Sequence, residues 1–224
     1  MTKRTKNKLF IVTGLLLALL ISGFFFLPGI LGDEVYTLKY DAWIVQYGER
    51  YGVDPALIAA VIKQESGFNP QARSGAGAKG LAQFMDGTAS TMAKETGRYP
   101  NYDIFDAETS IDFCAAHLRD LLVKYNGNLD AALAGYNAGT GNADRWVRLG
   151  LLGNLPFGET RSYVAKVKNY YTIYLKLYGD NRLSSKQTKI ETVKVEVKKP
   201  DTYTAFWGMF FKDVFKVNIS DSQK

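Results

Sequence analysis

One helical segment with a charged end limits the folds open to this chain. Residues 56–64 read ALIAAVIKQ, a mostly apolar run, and Glu65 follows at its end. Asp54 can cap the free N–H groups at the start of such a helix, and Pro55 suits its first position. Gly67 permits the left-handed conformation that ends many helices. The segment therefore predicts a helix that is buried on most sides and carries one carboxylate in its last turn.

The position of Glu65 predicts a raised pKa for its carboxyl. The dipole of a helix is negative at its C-terminal end, where a carboxylate is disfavoured. Apolar neighbours disfavour the charged form as well. A carboxyl that stays protonated near neutral pH is suited to general acid catalysis on a glycosidic bond. The alternative interpretation is an ordinary exposed glutamate at a helix end.

Four short motifs follow one another along the chain. Residues 64–70 read QESGFNP, residues 80–83 read GLAQ, residues 135–139 read GYNAG, and residues 159–164 read ETRSYV. In this order they resemble the soluble-lytic-transglycosylase-like (SLT) family. That family has an all-α, lysozyme-like fold, related to goose-type lysozyme, and cuts the glycan strands of bacterial peptidoglycan. The resemblance covers residues 40–179 and implies one lytic transglycosylase catalytic domain there.

The resemblance also implies roles for individual side chains. Glu65 matches the catalytic acid/base of the family. The positions that match substrate-binding or cleft-lining residues are Ser74, Gln83, Tyr136, Asn137, Glu159 and Tyr163. No metal ion or organic cofactor is expected.

Two positions depart from the family pattern. Ala82 stands where many members have methionine, and Asp86 stands where proline is common. The smaller Ala82 is expected to widen or reshape the floor of a sugar subsite. Neither residue touches the acid, so the departures bear on substrate fit rather than on the chemistry.

The first two motifs contain a single carboxylate, because no Asp or Glu lies between Glu65 and Asp86. Glycosidases that retain or invert stereochemistry normally use two. We therefore expect the substrate's own acetamido group to stabilise C1 while Glu65 protonates the leaving oxygen. The resemblance to the SLT family implies that the sugar's own 6-hydroxyl then attacks C1 and gives a 1,6-anhydro-muramyl end without water. Lysozyme-type hydrolysis remains an alternative, as does a non-catalytic glycan-binding or assembly subunit of a secretion or conjugation machine.

Further helices are predicted in the core. Asp106 can cap a helix over residues 107–125, and shorter and longer helices are expected over residues 130–135 and 160–178. Residues 135–141 predict the end of a helix that runs into a turn. No alternating strand pattern precedes residue 179, so an all-α domain is expected.

Two single-copy residues are interpreted as structural. His117 is the one histidine of the chain and lies within an apolar helical pattern. Cys114 lies in the same helix and is expected to be a buried free thiol.

The N-terminal region predicts a membrane anchor. Residues 1–8 are basic, and residues 9–31 carry no charge. An uncharged helix of that length spans about 34 Å, enough for a bilayer core. Basic flanks stay cytoplasmic, so we expect an uncleaved, single-pass anchor with the catalytic domain on the extracytoplasmic side of the cell membrane. A cleaved signal peptide is the alternative.

The C-terminal region predicts a tail outside the catalytic domain. Residues 180–202 are polar and lysine-rich, as in a linker, although three valines alternate there as in a short strand. Residues 203–217 repeat aromatic side chains at helical spacing, which predicts an amphipathic helix. It could dock on the catalytic domain, lie on the membrane surface or bind an envelope protein.

The charge distribution argues against a nucleic-acid partner. Residues 41–182 hold 15 basic and 15 acidic side chains, so the formal net charge of +6 lies in the two flanks. No nucleic-acid-binding motif accompanies that excess. The expected partners are the glycan strands of peptidoglycan and the membrane.

Overall fold

The computed structural model describes residues 36–179 together with Thr13 and Leu183. All helices given below lie in the compact unit that begins at Leu38. Over the described residues there is no β-strand, only two isolated bridges at Lys79, so the predicted all-α class is confirmed for this part of the chain.

The flanking segments predicted from the sequence lie outside the described residues, apart from the two single positions. They are the basic segment 1–8, the anchor 9–31, the linker 180–202 and the aromatic helix 203–217. Within the described part, no helix combines the length and the apolar character that a bilayer span requires.

Seven α-helices and one short 3-10 helix follow one another in the described chain. They are α1 (Asp41–Tyr51), α2 (Pro55–Ser66), α3 (Asp86–Glu95), α4 (Ala107–Lys124), α5 (Leu129–Ala138), α6 (Thr140–Arg148), the 3-10 helix (Leu152–Asn154) and α7 (Gly158–Tyr178). The four predicted helices correspond to α2, α4, α5 and α7.

Helix α2 is the central element of the core. The Asp54 side chain accepts a hydrogen bond of 2.8 Å from the backbone N–H of Ala56, so the predicted cap is present. Every residue from 56 to 62 is buried, which explains why this helix shows a continuous apolar run instead of a stripe. Its main partner is α7. Tyr171 of α7 donates a hydrogen bond of 2.7 Å to Asp54 and so fixes the start of α2 against that helix.

A polar network joins α1, the segment after α3, and α4. Arg98 donates hydrogen bonds to Asp112 at 2.6 Å and to the hydroxyl of Tyr47 at 2.8 Å. Tyr47 donates to Glu108 at 2.6 Å, and Tyr51 donates to Asp112 at 2.7 Å. Asp112 is 1% exposed, and its buried charge is compensated by these donors.

The turn predicted for residues 135–141 is replaced by a direct passage between two helices. Helix α5 continues through Ala138, and α6 begins at Thr140. Gly139, with a φ of 80°, is the boundary residue of both. Buried Ala143 and Trp146 hold α6 in place despite the glycines at its start.

Candidate active site

The centre of the candidate site is a contact between the last turn of α2 and the second turn of α7. Tyr163 donates a hydrogen bond of 2.7 Å from its hydroxyl to Oε1 of Glu65, although the two residues are 98 positions apart. Gly67, at a φ of 59°, ends α2 just after Glu65. Glu65 is half-buried and Tyr163 is buried. The packing of α2 on α7 therefore brings together the predicted acid/base and one of the predicted cleft residues.

Burial controls the protonation of this pair. Burial raises the pKa of Glu65 to about 7, and the hydrogen bond from Tyr163 acts in the opposite direction. The predicted rise in the pKa of Glu65 is thus confirmed, with burial as its largest cause. Burial also holds the pKa of Tyr163 well above its ordinary value, so this residue remains a hydrogen-bond donor. Glu65 can consequently both give and accept a proton near neutral pH.

Ser74 lies in a compact loop that its own hydrogen bonds close. Its hydroxyl oxygen accepts a bond of 2.9 Å from the backbone N–H of Ala78, and its own N–H donates to the carbonyl of Ala78 at 2.9 Å. The N–H of Gly77 donates to the carbonyl of Ser74 at 3.0 Å. The Ser74 side chain is exposed, so its hydroxyl proton can be donated to a ligand.

Gln83 is held in an unusual conformation at the end of the same loop. Its φ is 52°, in the left-handed region that non-glycine residues rarely adopt. Its side-chain nitrogen donates to the carbonyls of Ala72 at 3.2 Å and Gly80 at 3.0 Å. Both amide protons are therefore committed to the loop, and the half-buried Oε1 remains as an acceptor for a ligand.

The side chain of Tyr136, on α5, has both polar and aromatic neighbours. Its hydroxyl donates a bond of 3.0 Å to the carbonyl of Ala82 and lies 3.8 Å from Sγ of Cys114. Its ring lies 5.2 Å from that of His117. Cys114 is a buried free cysteine, as predicted. Burial raises the pKa of its thiol to about 12, which favours the protonated form near neutral pH. Burial lowers the pKa of His117, in keeping with a structural role.

The side chains of the other two predicted cleft residues make no hydrogen bond or ion pair with any described residue. Asn137 follows Tyr136 in α5 and is half-buried. Glu159 is exposed in the first turn of α7. It precedes Tyr163 by four residues, so the two side chains share one face of that helix. No group of three His, Cys, Asp or Glu side chains that could hold a metal ion occurs within the described residues.

The two departures from the family pattern lie in different surroundings. Ala82 is fully buried, and its N–H donates to the hydroxyl of Ser110 at 3.2 Å. Its side chain therefore belongs to the core beneath the loop. The expected effect of this small residue on a sugar subsite stays a prediction. Asp86 is exposed at the start of α3 and forms an ion pair of 2.6 Å with Lys79. This pair joins the loop to α3.

Sequence reasoning missed Arg73, which lies beside Ser74. Its guanidinium carbon is 4.1 Å from the ring centroid of Phe105. The only available signal was the position of Arg73 next to a predicted substrate residue, since no local spacing relates it to Phe105.

Comparisons with known proteins find similarity to lytic transglycosylases. The family model of the transglycosylase SLT domain matches residues 42–150. The soluble lytic murein transglycosylase of Escherichia coli K12 is 30% identical over 160 residues, which are 66% of this chain and 25% of that protein. The membrane-bound lytic murein transglycosylase C of Serratia proteamaculans is 31% identical over 166 residues, 61% of this chain and 46% of the relative. The chain thus spans about a quarter of the length of the first curated relatives it matches.

Solved structures show the same similarity. An inactive mutant of lytic transglycosylase Slt from Pseudomonas aeruginosa aligns with a TM-score of 0.62 and 31% identity, covering 67% of this chain and 26% of that one. The 70-kDa soluble lytic transglycosylase of Escherichia coli aligns with a TM-score of 0.61 and 29% identity, covering 72% of this chain and 28% of that one. A complex of a 70-kDa soluble lytic transglycosylase with bulgecin A aligns with a TM-score of 0.60 and 30% identity, covering 72% and 28%.

Proposed function

The chain is a member of the transglycosylase SLT family over residues 42–150, and we propose that its helical domain cuts the glycan strands of peptidoglycan. The bond cleaved is the β-1,4 bond between N-acetylmuramic acid and N-acetylglucosamine, and the product carries a 1,6-anhydro-muramyl end. The observation that carries the proposal is the half-buried Glu65, with a pKa of about 7 and a hydrogen bond from Tyr163. The names of the curated relatives, lytic murein transglycosylases, support the same substrate class.

In the first step, Glu65 acts as a general acid. Its proton passes to the glycosidic oxygen as the bond from that oxygen to C1 of N-acetylmuramic acid breaks. The acetamido carbonyl oxygen of the same sugar bonds to C1 and balances the developing positive charge. Glu65 is left as a carboxylate, and the hydrogen bond from Tyr163 stabilises that form.

In the second step, the Glu65 carboxylate acts as a general base. It takes the proton of the sugar's 6-hydroxyl while that oxygen bonds to C1 and the acetamido oxygen leaves. The sugar closes into the 1,6-anhydro form, and Glu65 regains its proton. No water is consumed, and the acid and the base are the same side chain. A pKa near the working pH suits both of these roles.

The remaining predicted residues would bind and orient the strand. The exposed Ser74 hydroxyl supplies a donor, and Oε1 of Gln83 supplies an acceptor whose direction the loop carbonyls fix. Asn137 and Glu159 contribute polar groups that are not used within the described fold. Tyr136 acts as a support, because its hydroxyl bonds to the backbone at Ala82.

We place the catalytic domain at residues 40–179, on the outer side of a cell membrane. Residues 9–31 would serve as the anchor, residues 180–202 as a linker, and residues 203–217 as an amphipathic helix. This arrangement is supported by the basic residues 1–8 before an uncharged run, and by a relative named as membrane-bound. An envelope protein would be the partner of the amphipathic helix.

The experiment that tests the function is the release of soluble fragments from purified peptidoglycan sacculi by the 224-residue chain. The Glu65→Gln variant should lose activity by at least about a thousandfold, because it has no proton to give or take. Glu49→Gln, which changes an exposed carboxylate on α1, is the matched control and should retain full activity. Equal activity of Glu65→Gln and the wild type would overturn the proposal.

A further inference from the structure

We propose that Arg73 binds a carboxylate of the peptide stem attached to N-acetylmuramic acid. This inference rests on the proposed function, because it names a second chemical group that the same site recognises. It would make the enzyme sensitive to the charge of the stem as well as to the sugars.

Arg73 lies in the loop that holds two of the predicted substrate-binding residues. It lies between Ala72, whose carbonyl accepts a hydrogen bond from Gln83, and Ser74, whose hydroxyl is exposed. A backbone bridge pairs Arg73 with Lys79 across the loop. Arg73 is therefore fixed at its backbone, between two residues that are proposed to contact the strand.

The side chain of Arg73 is held against an aromatic ring. The guanidinium carbon lies 4.1 Å from the ring centroid of Phe105, within the range of a cation–π contact. A guanidinium carries five N–H donors, so a contact with one ring leaves donors directed away from that ring. Stacking also reduces the rotamer freedom that an exposed arginine would lose on binding a ligand.

The N–H donors of the Arg73 guanidinium have no acceptor among the described residues. Arg73 makes no hydrogen bond or ion pair with any described residue, although its side chain is exposed beside the loop. The basic residue at the other end of the bridge differs, since Lys79 is paired with Asp86 at 2.6 Å. Arg73 is thus a cation at the edge of the site whose side chain contacts Phe105 and whose charge is not paired with a carboxylate of the described residues.

The chemistry of peptidoglycan indicates the ligand. Its sugars carry hydroxyl and acetamido groups, which are neutral. Its anionic groups near the glycan are the free carboxylates of the peptides linked to the lactyl ether of N-acetylmuramic acid. A carboxylate can accept two parallel N–H bonds from one guanidinium, a geometry that an ammonium group does not reproduce.

The test compares two preparations of uncross-linked glycan strands, one with free stem carboxylates and one in which carbodiimide coupling to ammonia has converted them to amides. We expect the wild-type chain to have a kcat/KM about fivefold higher on the free-carboxylate strands, a size typical of an exposed charge pair. Arg73→Ala should lose this preference and equal the wild type on amidated strands. The loss should appear in KM, because the stem is remote from the breaking bond.

Companion variants separate recognition from support of the loop. Arg73→Lys keeps the positive charge but lacks the planar guanidinium, so it should retain less than half of the wild-type preference for free-carboxylate strands. Phe105→Leu should weaken the preference while Arg73 is still present. Arg145→Ala changes an exposed arginine on α6 and should keep the wild-type preference. Thermal unfolding of each variant identifies any that are misfolded.

Binding provides a readout that does not need catalysis. In the Glu65→Gln background, cosedimentation with the two strand preparations should again show a preference that Arg73→Ala removes. An Arg73→Ala variant that retains the preference, or that is weakened equally on both preparations, would overturn the proposal. Absence of cleavage by the wild-type chain, together with an intact binding preference, would count against the proposed function and not against this inference.

Discussion

The hydroxyl of Tyr163 on α7 donates a 2.7 Å hydrogen bond to the Glu65 carboxyl at the end of α2. Burial raises the pKa of that carboxyl, and this bond lowers it, with burial the larger effect. The protonation of the proposed acid/base therefore depends on how two helices pack, and each contribution can be changed separately.

Removing the hydroxyl of Tyr163 should make Glu65 less acidic. In Tyr163→Phe the carboxylate loses its donor, so the alkaline limb of the kcat/KM profile should move to higher pH by about 1 unit. The rate at the optimum should fall about tenfold, since the carboxylate formed in the first step is less stabilised. The pH dependence of fragment release from sacculi measures both effects.

Tyr171→Phe is the matched control for that experiment. Tyr171 lies on the same helix and donates a 2.7 Å bond to Asp54, at the other end of α2. Its loss should lower the free energy of unfolding by about 1 kcal/mol and leave the pH profile in place. A shift of the alkaline limb in both variants would mean that Tyr163 acts through general stability.

The raised pKa of Glu65 should make the fold less stable at higher pH. The pKa of Glu65 is about 7 in the folded chain, against 4.5 for an ordinary glutamate carboxyl. Between these two pH values the folded chain therefore binds more protons than the unfolded chain. The free energy of unfolding should therefore fall as pH rises through this window, by about 1–3 kcal/mol from this group. Urea unfolding at pH 5 and pH 8 should show this slope, and Glu65→Gln should reduce it. An identical slope in both proteins would contradict the assignment of the raised pKa to Glu65.

Gly80 should tolerate no side chain. Its φ is 78°, and an added Cβ would clash with the backbone carbonyl oxygen of Ile104. Gly80→Ala should therefore lower the free energy of unfolding by more than about 2 kcal/mol. Gly75 has open space at the same atom, and Gly75→Ala should stay within about 0.5 kcal/mol of the wild type. Urea denaturation of the two variants measures both changes, and equal losses of stability would contradict the prediction.

Asp86 should be replaceable by the proline that is common in the family. It is the first residue of α3, where a missing N–H costs little, and the preceding Met85 already has an extended ψ of 149°. The ion pair lost with Lys79 is exposed and contributes less than about 1 kcal/mol. Asp86→Pro should therefore keep its fragment-release rate within about twofold of the wild type. A larger loss would mean that the Lys79 pair orients the loop for catalysis.

Sequence reasoning was most reliable where local chemistry decides structure. The cap at Asp54, the apolar run and Gly67 specify α2 without help from the rest of the chain. Helix α6 was missed, because two glycines flank its first residue and its stability comes from burial of Ala143 and Trp146. A local sequence pattern does not show whether a helix will be stabilised by burial against the rest of the fold.

The same distinction between local sequence and tertiary packing applies to the candidate site. The direction of the pKa shift of Glu65 followed from one helix and its neighbours, whereas its assignment as the acid/base came from the family resemblance of the four motifs. The bond from Tyr163 depends on the packing of α2 against α7. The stacking of Arg73 on Phe105 joins two loops with no shared sequence pattern. Contacts of this kind require the folded chain.

The most direct test of the central claim is mass spectrometry of the fragments that the 224-residue chain releases from purified peptidoglycan. We predict N-acetylmuramic acid ends one water lighter than the hydrolysed sugar, formed by the wild type and absent with Glu65→Gln. Reducing ends in place of anhydro ends would contradict the account, because water would then be the acceptor in place of the sugar's own 6-hydroxyl.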